Sequence, residues 1–264
     1  KTGTLTQNRM TVEKCWLGGH VRKAPDCPPA LCPDFYYGMV LCNDAAAEKG
    51  NRTGDPTELA LLDLAESFGL KKPQLESRMP RVDELSFDSD RKMMTTLHRK
   101  HDISENRYAG NGMGELRAAE ISGRPHMVSY TKGAPDEVLK RCAQIFTGNG
   151  FVRLTESWRR QVLAAVEEMS GEALRTLAVA MQPEAAAAVE EDLIFLGLVG
   201  MRDPARPEAA RAVADFQEAG VKTVMITGDH VDTAFAIGRQ LGIASRPKQC
   251  MTGEALGLLS DREL

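Results

Sequence analysis

The sequence predicts a mixed fold, an α+β domain on an antiparallel sheet flanked by helices, inserted into an α/β domain. Residues 81–87 and 92–98 read as strands joined by the turn Asp88-Ser89-Asp90-Arg91, the arrangement of an antiparallel pair. From Pro207 onward the pattern changes to helix, strand, helix at 208–219, 221–226 and about 231–241, with Gly220 and Gly242 as stops. That order suits a parallel, doubly wound sheet. The α/β domain would hold residues 1–9 and 201–264, and the inserted domain residues 10–200.

Along the chain, 10–17 reads as a strand turning at Gly18-Gly19, and four prolines mark 23–33 as a loop. Residues 34–49 are expected to be helical, with Asp34 as a possible N-cap. A second helix, 55–68, follows Thr53-Gly54-Asp55-Pro56, with apolar residues at helical spacing and Gly69 after its end. Residues 101–124 are polar and rich in glycine, as in a long exposed loop. The strand 127–131 leads to a helix from Pro135 to about residue 142, and 157–170 is another helix. The apolar runs 174–181 and 193–199 read as buried strands, and the alanine-rich 184–190 between them as a short helix.

An apolar fraction of 42%, a charged fraction of 27% and a net charge of −4 describe an ordinary globular chain. The acidic balance argues against nucleic acid as a partner. No run of 18 apolar residues is present, so no membrane span is expected within these 264 residues. Six scattered cysteines show no metal-binding spacing and read as reduced thiols. His98 and His101 straddle a strand end and are expected at the surface.

Several short motifs carry chemistry. Lys1-Thr2-Gly3-Thr4-Leu5-Thr6 offers a cation, hydroxyl and amide donors and a glycine that permits close approach, all suited to a phosphate. It also reads as a Thr/Gly-rich turn. Thr227-Gly228-Asp229 sits past the carboxyl end of an apolar strand, the edge where open α/β sheets bind ligands. There Thr227 can bond a phosphoryl oxygen, Gly228 avoids a clash, and Asp229 can hold a cation, a lysine or a helix N-terminus. Asp203-Pro204-Ala205-Arg206 lies between a strand and a helix and is equally simple punctuation. In Gly54-Asp55-Pro56-Thr57-Glu58, Glu58 is also explained by the helix dipole. Phe87 could be core at a strand end, and Lys132-Gly133-Ala134-Pro135 a loop. Arg175, in Leu174-Arg175-Thr176-Leu177-Ala178, lies among apolar neighbours and needs a partner, which a phosphate would supply.

In this order these motifs resemble the P-type ATPases, cation pumps that transfer the γ-phosphate of ATP to an aspartate. The resemblance covers nearly the whole chain and is nearest to the type II, calcium-pump-like branch. It implies a haloacid-dehalogenase-like (Rossmann-type) phosphorylation domain, present in part, interrupted by a nucleotide-binding domain. Its nucleophilic aspartate would stand immediately before Lys1. Lys1, Thr2, Thr4, Thr227, Gly228 and Asp229 would be catalytic, with the Thr2 carbonyl on Mg2+. Glu58, Phe87, Lys92, Met94, Lys132, Gly133, Arg175, Asp203 and Arg206 would form the ATP site. Phe87 would stack on the purine, and Lys132 would line the back of its pocket beside Gly133. Glu58 would accept from the adenine amino group, and Arg175 would reach the phosphates. Ser89 stands where some relatives have an arginine.

The resemblance further implies a soluble cytoplasmic piece of an integral membrane protein, with intramolecular contacts to actuator and transmembrane domains. The later Gly-Asp-Gly-x-Asn-Asp motif and a second catalytic lysine would lie beyond Leu264. The piece would bind ATP without turning it over. The transported cation, Ca2+ first, would be bound elsewhere in the parent. The rival readings are a soluble phosphatase of the same superfamily with a large cap, and a stand-alone nucleotide-binding module. A phosphatase would not need the adenine-site motifs.

Overall fold

The computed structural model describes residues 4–7, 9–48, 51–100, 126–228 and 231–257. The loop expected at 101–124 and His101 lie outside the described residues. The chain divides into two compact units. One is Thr11–Met169 with Arg175–Met201; the other is Lys1–Met10, Ser170–Leu174 and Arg202–Leu264.

The first unit is built on one large sheet. Its strands are β1 (Thr11–Leu17), β2 (His20–Lys23), β5 (Arg81–Asp88), β6 (Met93–Lys100), β7 (His126–Gly133), β8 (Cys142–Phe146), β9 (Phe151–Arg153), β10 (Arg175–Pro183) and β11 (Leu193–Arg202). A separate antiparallel pair joins β3 (Ala46–Glu48) to β4 (Asn51–Thr53). The main order is β2-β1-β11-β10-β7-β6-β5, with β8 and β9 attached beside β11. The ladders β5–β6, β6–β7, β7–β10 and β10–β11 are antiparallel, whereas β8 meets the start of β11 in parallel.

The helices of this unit are α1 (Pro33–Leu41), α2 (Pro56–Ser67), α3 (Lys72–Arg78), α4 (Pro135–Lys140) and α5 (Glu156–Gly171). Helix α1 packs on β7 and β10, and α2 and α3 pack on α1. Phe35, Tyr36, Met39, Val40 and Leu41 of α1 are fully buried. Each such side chain contributes roughly 1.5–3 kcal/mol by leaving water. Gly38 sets the approach, because a Cβ there would lie 2.5 Å from Val179 Cγ1. On the other face of the sheet Ala185 and Ala188 pack against Leu97, with Met127 beside them.

Several expectations change. The helix expected over 34–49 ends at Leu41, and Pro33 rather than Asp34 opens it behind Cys32. It stops because side chains take up the carbonyls of Leu41, Cys42, Asn43 and Ala45 and let the chain turn into β3. The alanine-rich 184–190 is not helical. Its alanines cover a sheet face, and packing overrides their helix propensity. The helix opening at Pro135 stops at Lys140, and residue 142 begins β8. His98 is fully buried rather than superficial: Nδ1 lies 3.0 Å from the Met79 carbonyl and Nε2 2.9 Å from Thr96 Oγ1. The cysteines are free, and all but Cys250 are buried.

In the second unit the described helices are α6 (Pro207–Glu218), α7 (Val231–Gln240) and the short α8 (Gly253–Gly257). Ala209, Ile237 and Leu241 form its small core, with Leu5, Ala205, Met225 and Ile243 against them. The strand expected at 221–226 is not formed: these residues have no ladder partner among the described residues. Val224 and Ile226 are 69% and 84% exposed. A parallel strand exists only within a sheet covered on both faces, and none surrounds this one here.

Candidate nucleotide site

Register places several singled-out residues at one end of the large sheet. Met94 pairs with Lys132, and Met93 with Gly133. Asp88, the residue after Phe87, pairs with Met93. Ala178 pairs with Gly133 in turn, so Arg175, at the start of β10, belongs to the same end.

Lys132 is a buried cation, 8% exposed. Its Nζ donates to Glu58 Oε1 at 2.5 Å and to the Cys42 carbonyl. Glu58 Oε2 accepts the Asp44 amide at 3.1 Å. An ammonium taken out of water must be paired and hydrogen-bonded, and both conditions are met. Glu58 stands in the first turn of α2, whose N-cap Asp55 accepts from the Thr57 amide at 2.7 Å. Burial pushes the Asp55 carboxyl upward, but the Thr57 hydroxyl and amide, the Glu58 amide and the Arg175 charge together leave it below its ordinary pKa.

Phe87 is 66% exposed, an open aromatic face on an edge strand. The turn beyond it is held by Asp88, whose Oδ1 accepts the amides of Asp90 and Arg91, each at 2.9 Å. Lys92 is exposed and left-handed, with φ 55°. Its carbonyl accepts the Ala134 amide at 2.9 Å. Gly133 is explained by this contact, since a Cβ there would lie 2.5 Å from the Lys92 carbonyl oxygen. The close approach is thus made by the end of a neighbouring strand. Met94 is buried, and its carbonyl accepts from the Cys42 thiol at 3.3 Å. Arg175 is exposed.

In the second unit Lys1, Thr2 and Asp229 lie outside the described residues. Thr4 is exposed in a turn, Thr227 is half-buried, and a Cβ on Gly228 would meet open space. Asp203 accepts the Thr6 hydroxyl at 2.5 Å on Oδ2 and the Arg9 amide at 3.1 Å on Oδ1. Arg206 donates from Nε to the Thr6 carbonyl at 3.2 Å. Thr6 also bridges to Ala205. Asp203 and Arg206 therefore bind the N-terminal segment to the start of α6.

Residues 32–208 match the family model of the P-type ATPase cytoplasmic domain N. The chain belongs to that family. A calcium-transporting ATPase of Bacillus cereus is 42% identical over the whole chain, which spans 28% of that protein. A calcium-transporting ATPase of Lactococcus lactis is 35% identical, again over the whole chain and 28% of the relative. A cation-transporting ATPase of Synechocystis is 35% identical over 93% of the chain and 28% of its own length.

Domain N thus gathers Glu58, Phe87, Lys92, Lys132, Gly133 and Arg175 at one sheet end, with Met94 in the core behind them. Sequence reasoning missed the turn that holds Lys132. Asn43 is fully buried; its Nδ2 donates to the Met39 and Glu58 carbonyls at 3.1 and 3.0 Å, and its Oδ1 accepts the Ala45 amide. Arg81 donates to the Leu41 and Asn43 carbonyls, and Lys72 to those of Asn43 and Ala45. The signal was Asn43-Asp44 inside a presumed helix, a pair that favours turns.

Proposed function

We propose that this domain N binds ATP at the sheet end carrying Phe87, Glu58, Lys132 and Arg175. The observation behind this is that the buried Lys132–Glu58 pair and an exposed aromatic ring share one end of the sheet. Phe87 offers a stacking face for a purine, worth roughly 1–3 kcal/mol. Glu58, held rigid by Lys132 and the Asp44 amide, presents carboxylate lone pairs to an amino group at the edge of the base. Arg175, exposed at the start of β10, supplies a planar fork for phosphate oxygens.

In the parent protein, the bound ATP would deliver its γ-phosphate to an aspartate immediately before Lys1. The second unit is then part of a haloacid-dehalogenase-like phosphorylation domain, with Lys1, Thr2, Thr4, Thr227, Gly228 and Asp229 around the acyl-phosphate and Asp203 and Arg206 at its border. Transfer of this kind is mainly positioning and charge neutralisation. Domain N would bring the nucleotide in by turning about the crossings near Asn8–Arg9 and Asp203. Mg2+ would arrive on the triphosphate. Among the described residues no group of three or more His, Cys, Asp or Glu could hold a metal.

The parent would couple ATP hydrolysis to cation transport, with Ca2+ as the cargo, in keeping with the names of its relatives. Membrane and actuator domains would be its intramolecular partners. No helix among the described residues is long and apolar enough to cross a membrane.

Calorimetric titration of ATP tests the site. Phe87→Ala and Arg175→Ala, both at exposed positions, are each expected to weaken binding about tenfold with thermal stability retained. Unchanged affinity in both would remove the assignment.

A further inference from the structure

Strand β5 carries Phe87, yet little packing holds it. It is the sheet edge, paired only with β6 among the described residues, and every residue from Val82 to Asp88 is exposed. Its register slips twice, between Arg81 and Asp83 and between Leu85 and Asp88. A strand with so few buried contacts belongs to the low-stability end of a structure unless other links fix it.

Two arginines supply those links. Arg81 ties the first end to the last residue of α1 and the turn after it, through the Leu41 and Asn43 carbonyls at 3.1 and 2.8 Å. Arg91 ties the second end: its Nη2 donates to the carbonyl of Ser86, the residue before Phe87, at 2.7 Å. Its Nη1 pairs with Glu190.

Glu190 comes from the connection between β10 and β11, and its side chain is only 8% exposed. Oε1 also accepts the Thr95 hydroxyl at 3.2 Å, and Thr95 shares a 2.8 Å hydrogen bond with Thr131. Thr131 precedes Lys132 on β7, and successive strand residues face opposite sides. Glu190 therefore works from the face opposite the Lys132–Glu58 pair. A polar chain runs from Thr131 through Thr95, Glu190 and Arg91 to the backbone of Ser86.

We propose that Glu190, acting through Arg91, is a positioning residue that fixes the Phe87 end of β5 for nucleotide binding. This rests on the reading of Phe87 as the base-stacking residue. A charge-assisted, forked link is strong enough to set the geometry of an otherwise exposed strand. Its loss leaves Phe87 in place in the sequence but no longer held in one position.

The test is titration of ATP into the 264-residue chain. Glu190→Gln is expected to raise Kd about three- to tenfold. In a Phe87→Ala background the same substitution is expected to add nothing. Arg91→Gln removes the link from its more exposed side and should reproduce both results, including where Glu190→Gln does not fold. Unchanged affinity in both single variants overturns the proposal. So does an equal loss with and without the Phe87 ring, because that would report general destabilisation. If Phe87→Ala alone leaves ATP binding intact, the stacking reading falls and this inference with it. If Phe87→Ala weakens binding while Glu190→Gln does not, only the positioning role is lost.

Discussion

Lys132 and Glu58 are the residues at which binding and stability meet. Both side chains are largely out of water, 9% and 14% exposed, and each is the other's counter-charge. Removing one partner strands the other, a change that costs about 3–5 kcal/mol for buried pairs. Lys132→Ala should therefore lower the urea midpoint as well as ATP affinity. The double variant Lys132→Met, Glu58→Leu should recover much of the stability but not the binding. Equal urea midpoints for the wild type and Lys132→Ala would show that the pair is not desolvated as described. His98 gives a second prediction at this scale. Burial pushes its pKa down to about 4, against the Met79 hydrogen bond that raises it, while Arg81 and Lys72 lower it further. Folding thus favours the neutral ring. That contribution is complete above the unfolded value near 6.5 and is lost as pH falls from there through about 4. It amounts to about 3 kcal/mol as an order of magnitude. His98→Gln should flatten the decline in urea stability between pH 6.5 and 4, and an unchanged slope would place the acid sensitivity elsewhere.

At the scale of elements, the site depends on how closely β6 and β7 end together. Gly133 lets the Lys92 carbonyl approach and accept the Ala134 amide, and Lys92 takes up a left-handed conformation to close the turn. Gly133→Ala should push the turn outward, cost about 1–3 kcal/mol and weaken ATP binding along with stability. A Gly133→Ala protein with normal melting and normal affinity would mean that the turn yields freely. Strands β1, β5, β6, β7, β10 and β11 and most helices of domain N were legible because their signals are local, whereas the short β2, β3, β4, β8 and β9 were not. Apolar runs, the Asp88–Arg91 turn, and Pro56 behind an Asp55 cap all name their element directly. The stop of α1 was not legible, since it is made by Arg81, Lys72 and Lys132, cations 27 to 90 residues away from the carbonyls they take up. The alanine run at 184–190 failed for a related reason. Its conformation is set by the sheet face that Ala185 and Ala188 cover, a non-local fact. The candidate site could be listed from motifs, but its buried ion pair and its reverse-face support depend on register.

At the scale of the whole molecule, every residue of the proposed sheet-end site lies in one of the two compact units, whereas Asp203 and Arg206 belong to the other. Glu58, Phe87, Lys92, Lys132, Gly133 and Arg175 all fall within Thr11–Met169 and Arg175–Met201. The pairing that unites them, from β5 to β11, lies in that unit as well. The other unit leaves Val224, Ile226, Phe216 and Met251 more than half exposed. Apolar surface of that kind promotes association. A chain cut to residues 11–201 should therefore keep the ATP affinity of the 264-residue protein within about threefold, because it keeps every contact of the sheet-end site and loses only Asp203 and Arg206. It should also stay monomeric at concentrations where the longer chain associates, as sedimentation would show. A loss of ATP affinity beyond tenfold, in a cut chain that still melts cooperatively, would place a necessary part of the site outside domain N.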